Sequence, residues 1–311
     1  MTPLNEKPKI IVLCGPTAVG KTATAIAVAK ALGGEIVNAD SVQIYRQMDI
    51  GTAKPTPAER QAAPHHMIDI LDPDEPFDAN LFAEQAHGII CGLHARGIFP
   101  IVSGGTGFYI KALCQGLFRS DPVDAGIRNR LKLEAEQKGP GPLFLRLKEV
   151  DPETAGILHP HDTYRILRAL EVYETLGIPI SRVRQSHGFA DEPYEVLKIG
   201  LDMDRDLLYD RIDLRVDAML EDGLEAEVRG LLEKGYSRAM KSMQTIGYRH
   251  MAEYIEGDIS REEMIRTLKR DSRRYAKRQL TWFRKDGAVN WVKAGNLDGI
   301  LNLVKASNFS R

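Results

Sequence analysis

The sequence predicts an α/β fold, in which a parallel β-sheet is flanked by helices and an all-helical domain is inserted into the sheet domain. Short apolar runs alternate with helical segments through the first hundred residues, a pattern typical of a parallel sheet covered by helices. From about Gly116 to Glu192 the chain shows helical segments and no convincing strand, and a strand pattern returns at Val196–Leu201. We therefore predict a core domain formed by residues 1–115 and 193–311, and a helical insertion domain over residues 116–192.

The individual elements follow from apolar runs and the breaks between them. Ile10–Cys14 is a continuous apolar run of the kind that forms a fully buried strand. The other predicted strands are Glu35–Asn38, His66–Ile70, Ile98–Val102, Val196–Leu201 and Val289–Val292. Helices are predicted over Ala23–Lys30, over Leu81–Arg96, and over about residues 204–234 and 261–285.

The segment from Gly15 to Thr22 matches the pattern G-x-x-x-x-G-K-[ST] of a phosphate-binding loop, or P-loop. A predicted strand precedes it and a predicted helix follows, so backbone N–H groups and a helix N-terminus would converge on phosphate oxygens. The predicted sheet is therefore P-loop NTPase-like, although the loop leaves open whether the phosphate belongs to a nucleotide. The candidate phosphate-binding residues are Gly15, Pro16, Thr17, Ala18, Val19, Gly20, Lys21 and Thr22, with Lys21 adding a charge and the Thr22 hydroxyl a Mg²⁺ ligand.

Two further candidates follow the carboxyl ends of predicted strands, where parallel sheets bind their ligands. Asp40 comes shortly after the strand Glu35–Asn38, and Thr106 lies in the glycine-rich turn Gly104–Gly107. From spacing alone, Asp40 is a catalytic carboxylate, a magnesium ligand or a helix N-cap. Thr106 either directs its hydroxyl into the crevice or caps a tight strand–helix turn. These alternatives stay open at this point.

Composition and charge limit the class of protein. Hydrophobic residues make up 43% of the 311 residues and charged residues 27%, as in an ordinary soluble globular protein. The net charge of −1 gives no overall attraction to nucleic acid or membrane. Residues 261–285, however, contain ten Lys and Arg against three acidic residues, so this segment carries +7 and the remainder −8. The segment is either a solvated helix face or a surface for RNA phosphates.

The cysteines and the N-terminus predict where the protein works. Cys14, Cys91 and Cys114 lack paired spacing, which favours reduced thiols in a reducing compartment. The N-terminal apolar run of about five residues is too short for a signal peptide, and nothing approaches the length of a membrane span. We therefore expect a cytoplasmic protein without a membrane partner, and a monomer.

Together, the motifs resemble the tRNA dimethylallyltransferase family over about residues 9–286. A lone P-loop is shared by many enzymes, but this set, in order and at natural spacing, is not. The chain lacks the C-terminal zinc finger of many eukaryotic relatives and so is similar to the bacterial form. Val19 stands where many relatives carry Ser, a side-chain change at a position that binds through its backbone. The matching segments are Gly15–Thr22, Ala39–Tyr45, Met48–Pro55, Pro64–Asp69, Gly104–Tyr109, Asp162–Glu171, Arg211–Val216, Gln244–Arg249 and Ala276–Phe283.

The resemblance implies transfer of a dimethylallyl group from dimethylallyl diphosphate to N6 of adenosine 37, next to the anticodon of tRNA. The P-loop would then hold the diphosphate of the donor, with Mg²⁺ as cofactor. By the same resemblance Asp40 is the general base, Thr106 its partner in the channel, and Arg215 the arginine that contacts the diphosphate. Arg211 and Arg215 share a helix face, so spacing alone does not exclude Arg211.

The resemblance also implies contacts with the anticodon stem-loop. The target adenosine must leave its stack to be modified, and single-stranded RNA loops are recognised by stacking and by hydrogen bonds to base edges. The implied tRNA-binding residues are Asp40, Ser41, Val42, Gln43, Thr106, Arg128, Tyr164, Arg165, Ile166, Leu167, Arg168, Gln244, Thr245, Ile246, Gly247, Tyr248 and Arg249.

Three alternative functions share some of these features. A small-molecule P-loop kinase would bind ATP, but the strand Ile98–Val102 ends in Ser103 rather than in an acid, which argues against it. An isopentenyltransferase acting on free adenine nucleotides would share the loop and Asp40, but the helical insert and the basic segment favour RNA. A non-catalytic RNA-binding protein would use the loop as a nucleotide switch and leave adenosine 37 unchanged.

Overall fold

The chain divides into two units. A computed structural model describes residues 7–116, 125–187 and 192–309. One unit comprises Met1–Cys114 and Glu192–Arg311, and the other comprises Gln115–Asp191. We call them the core unit and the helical unit.

A parallel sheet of six strands forms the centre of the described core unit, in the order β3-β2-β4-β1-β5-β6. The central strand, β1, is a run of apolar residues with five of its six positions buried. Because all strands run in one direction, their carboxyl ends meet at one edge of the sheet. The strands are β1 (Lys9–Cys14), β2 (Gly34–Asn38), β3 (His65–His66), β4 (Phe99–Gly104), β5 (Glu195–Asp202) and β6 (Val289–Lys293).

In the described residues before the insertion, the chain forms the helices α1 (Lys21–Leu32), α2 (Pro57–Ala62), α3 (Ala79–Ala95) and α4 (Gly107–Gln115). The first of them starts inside the P-loop motif, behind Gly20, whose φ of 100° lies in the left-handed region that favours glycine. The helix α3 starts behind Asp78, which accepts hydrogen bonds from the backbone of Asn80 and Leu81. Helix α4 follows the glycine-rich turn after β4, so both α1 and α4 begin at the carboxyl edge of the sheet.

The helical unit has a small core of its own. Its helices are α5 (Ala125–Lys138), α6 (Pro140–Val150), α7 (Pro152–Ile157), α8 (Thr163–Leu176) and α9 (Ile180–His187). Leu131, Leu147, Ile166 and Leu170 are fully buried at its centre. The buried Asp151 accepts hydrogen bonds from the backbone N–H groups of Thr154 and Ser181, which joins the starts of two helices. The described residues of this unit form helices and no strand.

After the return to the core unit, the described part of the chain forms the helices α10 (Arg205–Glu221), α11 (Leu224–Glu233), α12 (Tyr248–Ile255), α13 (Arg261–Phe283) and α14 (Leu297–Ala306). The amphipathic α13 buries Met264, Leu268, Ala276 and Phe283 at helical spacing and packs against α10 and α12. None of the described helices combines the length and apolarity that a transmembrane span requires.

The observed elements differ from the predicted ones at one strand and at the helices α2, α12 and α14, which have no predicted counterpart. The strand predicted over His66–Ile70 is wrong beyond its first residue, because Met67 and Asp69 adopt left-handed φ angles of 63° and 55°. The local charges explain the bend, since the Asp69 carboxylate turns to Lys54 and Arg60, each at 2.6 Å.

Candidate active site at the carboxyl edge of the sheet

Two cavities meet at the carboxyl edge of the core sheet. The larger, of about 860 Å³, is lined by P-loop residues and by side chains of α10. The smaller, of about 320 Å³, is lined by Ser41, Val42 and the segment Gln244–Gly247. The residues common to both linings are Thr17, Asp40, Thr52, Arg215, Met219 and Tyr275. Asp40 therefore lies where the two cavities join, and both give access to it.

The P-loop is closed on itself by Lys21. Its Nζ donates hydrogen bonds to the carbonyl oxygens of Gly15 at 3.1 Å and Pro16 at 2.7 Å. Burial lowers the pKa of Lys21 to about 8, and the nearby negative charge of Asp40 opposes part of this effect. Thr22, in the first turn of α1, lines the larger cavity beside Lys21. Lys21 thus stabilises the conformation of the loop through its own hydrogen bonds and places one positive charge beside it.

The helix α13 is fastened to the P-loop by Gln279, a residue absent from the predicted site. The buried Gln279 accepts a hydrogen bond from the Thr17 N–H at 2.8 Å and donates one to the Gly105 carbonyl at 2.9 Å. A Cβ on Gly105 would lie 2.2 Å from Gln279 Nε2, so this close approach requires glycine. One amide side chain therefore connects the P-loop, the turn after β4, and α13.

Asp40 shapes a turn rather than capping a helix. Its Oδ1 accepts hydrogen bonds from the N–H groups of Val42 at 2.9 Å and Gln43 at 3.3 Å, and residues 39–56 form turns and bends. The helix N-cap alternative is therefore wrong. The Thr106 hydroxyl accepts a hydrogen bond from the Ser41 N–H at 3.1 Å, so it holds the residue next to Asp40.

A tyrosine of α13 completes the junction of the cavities. Burial, with the negative charge of Asp40 as a further cause, raises the pKa of Tyr275, whose side chain hydrogen-bonds with Thr106 and Gln279. The guanidinium of Arg278 lies 5.7 Å from the centre of the Tyr275 ring. The phenol therefore stays neutral beside Asp40 at physiological pH and gives the junction a flat apolar wall.

Two of the three arginines of α10, Arg211 and Arg215, reach the P-loop. Arg211 and Arg215 line the larger cavity, and Arg215 also lines the smaller one. Arg215 Nη1 donates a hydrogen bond to Thr17 Oγ1 at 3.4 Å. Burial lowers the pKa of Arg215, and the adjacent Arg211 adds to this effect. Such a concentration of positive charge in a partly desolvated cavity favours the binding of an anion there.

A buried charge cluster forms another wall of the larger cavity. Lys54, which is nearly inaccessible, donates to Asp49 at 2.5 Å, to Asp69 at 2.6 Å and to the Tyr45 carbonyl at 2.7 Å. Burial alone would raise the pKa of Asp69, but its hydrogen bonds to Lys54 and Arg60 outweigh burial and lower that pKa. These charges neutralise one another, so the wall adds rigidity to the segment between β2 and α2.

Of the segment Gln244–Arg249, the first four residues line the smaller cavity, whereas Tyr248 and Arg249 do not. Tyr248 is fully buried, and its hydroxyl donates a hydrogen bond to Glu227 at 2.6 Å. The Tyr248 side chain is therefore part of the core, and a contact of this residue with tRNA stays a prediction. Glu227 also accepts the N–H groups of Asp49, Ile50 and Gly51. It thus ties the segment before Lys54 to the start of α12, although no predicted site included it.

In the helical unit, the predicted tRNA-binding residues on α8 fall into two groups. Tyr164 is 81% exposed and Arg165 is also exposed, with an ion pair to Asp162 at 3.4 Å. Ile166 is fully buried in the core of the unit, and the partly buried Leu167 packs against that core. The Ile166 side chain therefore supports the exposed residues of α8 from the core of the unit, and a contact of this residue with RNA stays a prediction.

The remaining predicted residues of the helical unit are ion-paired. Arg128 donates to both oxygens of Glu171, at 2.9 and 3.1 Å, and these hydrogen bonds raise the pKa of Arg128. Arg168 also pairs with Glu171, at 3.4 Å. Glu171 is itself nearly buried. One carboxylate therefore positions two of the predicted arginines.

Most cations of the basic segment 261–285 are held in ion pairs with nearby carboxylates. Lys269 pairs with Asp217 and Arg273 with Asp213, both at 2.6 Å and both across to α10. The other ion-paired cations of this segment are Arg266, Arg270, Arg274 and Arg284. Within the described residues, Arg261, Lys277, Arg278 and Lys285 make no ion pair. Phosphate binding by this segment stays a prediction, and three of its four cations without an ion pair lie toward its C-terminal end.

Comparison with known proteins places this geometry in a family. The model of the family described as IPP transferase matches residues 43–286. The chain belongs to the IPP transferase family. The resemblance that the sequence motifs carried is thereby confirmed, as is the P-loop-like α/β fold.

Members of the IPP transferase family resemble the chain along most of its length. It is 55% identical to the tRNA dimethylallyltransferase of Desulfosudis oleivorans over 286 residues, covering 92% of this chain and 91% of that protein. The tRNA dimethylallyltransferase of Desulfatibacillum aliphaticivorans is 51% identical over 289 residues, with 93% and 94% covered.

Solved structures of this family have the same fold. The tRNA isopentenylpyrophosphate transferase of Bacillus halodurans is 42% identical, with a TM-score of 0.71, and 97% of this chain and 95% of that chain are covered. A eukaryotic dimethylallyltransferase acting on tRNA is 27% identical, with a TM-score of 0.80, and 96% and 78% are covered. The similarity thus extends over both units of the IPP transferase-family chain.

Proposed function

We propose that this protein is a tRNA dimethylallyltransferase, which transfers the dimethylallyl group of dimethylallyl diphosphate to N6 of the adenosine next to the anticodon. The junction of the two cavities at Asp40 is the observation that carries the proposal. A diphosphate donor fits the larger cavity with its P-loop, and an extruded base fits the smaller one. The two substrates would then meet beside a carboxylate.

The donor side must stabilise the departing diphosphate. As the bond between the allylic carbon and the diphosphate oxygen breaks, negative charge grows on the diphosphate. The P-loop N–H groups, Lys21, Arg211 and Arg215 all border the cavity in which this charge develops, and preorganised cations of this kind stabilise such a transition state. Lys21, with its pKa of about 8, carries its proton at neutral pH.

The acceptor side must remove one proton. The exocyclic amine of adenine is a weak nucleophile, so a carboxylate that accepts its proton while the new N6–carbon bond forms lowers the barrier. Asp40 is held in one orientation by the N–H groups of Val42 and Gln43. We assign it the role of general base. Thr106 acts through Ser41 as a positioning residue, and Arg215 contacts the diphosphate.

Magnesium is part of this proposal. Among the described residues, no three His, Cys, Asp or Glu side chains form a metal-binding group. Mg²⁺ at phosphate sites, however, usually takes one or two protein oxygens and completes its shell with phosphate and water. The Thr22 hydroxyl lies beside Lys21 in the larger cavity and fits that mode of binding. A bound Mg²⁺ would offset the charge of the leaving diphosphate.

The deciding experiment is incubation of unmodified tRNA with the purified protein, Mg²⁺ and dimethylallyl diphosphate, followed by mass analysis of the nucleosides. We expect one added C5H8 unit on adenosine, and none in a tRNA with guanosine at position 37. Equal or faster modification of AMP would instead favour an enzyme of free nucleotides. Phosphoryl transfer from ATP to a small acceptor, without prenylation of RNA, would overturn the proposal in favour of a kinase.

A further inference from the structure

Two aromatic rings meet on the surface of the core unit. Phe108, near the start of α4, is 50% exposed, and Trp282, near the end of α13, is 42% exposed. Their ring centroids lie 6.4 Å apart and their planes are at 88°, an edge-to-face contact. We call them the Phe108–Trp282 pair. A Cβ on Gly107 would lie 2.2 Å from the Trp282 ring, so the indole rests directly on the backbone at the start of α4.

The Phe108–Trp282 pair lies next to the lining of the smaller cavity. Along α13, Trp282 comes four residues, about one helical turn, after Arg278, which lines that cavity. Along the other chain segment, Phe108 comes two residues after Thr106, which holds the cavity residue Ser41. Gln279 ties the two segments together through Gly105. Both rings are therefore attached to the frame that bears Asp40.

The charges around the pair indicate the chemistry of its partner. Lys277, Arg278 and Lys285 flank Trp282 in sequence, and within the described part of the chain they make no ion pair. The backbone N–H of Lys285 donates to the Trp282 carbonyl at 3.2 Å, so the backbone of this lysine directly follows the last turn of α13. Exposed aromatic rings beside unpaired cations match single-stranded RNA, whose bases stack on rings while its phosphates attract Lys and Arg.

We propose that the Phe108–Trp282 pair is a stacking platform for an unpaired base of the RNA substrate, adjacent to the adenosine that enters the smaller cavity. This inference rests on the proposed function and adds a binding subsite to it. Extrusion of the adenosine removes the stacking partner of its neighbour in the loop. A ring of the Phe108–Trp282 pair would replace that partner, and stacking of this kind does not depend on which base is present.

Steady-state kinetics on an anticodon stem-loop RNA test the platform. Stacking on an aromatic side chain contributes about 1–3 kcal/mol per base, so Phe108→Ala and Trp282→Leu should each raise the KM for RNA by about 5- to 100-fold. The KM for dimethylallyl diphosphate should not change. Trp282→Phe, which keeps an aromatic face, should retain most of the RNA affinity. Leu207→Ala is the matched control, because Leu207 is 52% exposed and lines neither cavity.

Fluorescence gives a second and direct readout. Trp282 is one of two tryptophans in the chain, so quenching of its emission by the stem-loop RNA should disappear in Trp282→Phe. Because Trp282 rests on Gly107, thermal unfolding must show that each variant is folded. Phe108→Ala leaves the contact between Trp282 and Gly107 in place and so tests the platform without disturbing it. Folded variants with a wild-type KM for RNA and unchanged quenching would overturn the platform. Absence of prenylation by the wild-type protein would instead overturn the proposed function.

Discussion

Asp40 has two tasks that a single substitution can separate. Its Oδ1 accepts two backbone N–H groups and so shapes the turn to Gln43, whereas proton removal requires the negative charge. Asparagine retains an acceptor oxygen of the same geometry and loses the basicity. Asp40→Asn therefore tests the chemical task without disturbing the turn, which Asp40→Ala would not.

We expect Asp40→Asn to lower kcat by roughly 10²–10⁴-fold, the usual contribution of a positioned general base, while the KM for each substrate stays within a few-fold of wild type. Single-turnover measurements at saturating substrates give the comparison. Asp222→Asn is the control, because Asp222 lines the larger cavity and lies outside the shared junction. A near-normal kcat in Asp40→Asn would assign the proton to another acceptor.

The second residue-scale prediction concerns pH. Burial lowers the pKa of Lys21 from 10.5 to about 8 in the folded protein, so the free protein loses this charge as the pH rises through about 8. Donor affinity should therefore fall above that pH, by up to about tenfold per unit. Titration of dimethylallyl diphosphate between pH 7 and 9.5 measures it. Lys21→Arg keeps its charge throughout this range and should lack the pH dependence; an identical profile in Lys21→Arg would contradict the assignment.

The same shift affects folding with a defined sign. Between about pH 8 and 10.5 the unfolded chain keeps a proton on Lys21 that the folded protein has lost. Stability attributable to this residue consequently rises with pH across that interval. Below about pH 8, Lys21 is charged in the folded protein, and the burial of this charge lowers the free energy of unfolding.

At the scale of elements, α10 and α13 work as a pair. The first carries Arg211 and Arg215 to the P-loop, and the second carries Gln279. Two ion pairs, Arg273 with Asp213 and Lys269 with Asp217, join the helices. The cations on this part of α13 therefore fix the position of the arginines on α10 instead of facing an RNA.

We expect Arg273→Glu to weaken donor binding and to destabilise the protein, because two carboxylates would then face each other between α10 and α13. A loss of about 1 kcal/mol would lower the Tm by roughly 2–4 °C. Adding Asp213→Arg to the same chain restores an ion pair and should recover both properties. Calorimetric melting and donor titration provide the measurements. Unchanged Tm and donor affinity in the single variant would show that these ion pairs do not position α10.

The site residues that were predicted have recognisable patterns next to them in the sequence. The site residues that were missed make their contacts with residues far away in the sequence. The P-loop and Asp40 stand beside buried strands, so their neighbours identify them. Gln279 bonds to a residue 262 positions away and Glu227 to residues 176–178 positions away, and no local rule links such partners. One signal was available for Gln279, since it occupies the buried stripe of α13 between Ala276 and Phe283, where an uncharged polar residue needs a partner.

For the whole molecule, the charge distribution decides how an RNA could be attracted. The net charge of −1 offers no overall steering. Most cations of the basic segment are used in internal ion pairs, as with Arg273. Apart from Arg261 at the start of α13, the charge of this segment left for phosphates is a short patch at the end of α13, formed by Lys277, Arg278 and Lys285, and Arg278 lines the smaller cavity. Attraction of RNA to this patch would bring the adenosine close to Asp40 rather than merely to the protein surface.

The double variant Lys277→Glu/Lys285→Glu tests this view, since both side chains are exposed and their reversal should leave Tm and donor affinity unchanged. We expect weaker RNA binding and a salt dependence that is shallower, by about 0.7–0.9 in the slope of log K against log salt for each lost phosphate contact. Lys293→Glu/Lys305→Glu is the control, with the same change in net charge on exposed residues outside the patch. Equal losses in both variants would mean that only net charge matters. No change of slope in either would mean that the end of α13 is solvated and that the RNA docks elsewhere.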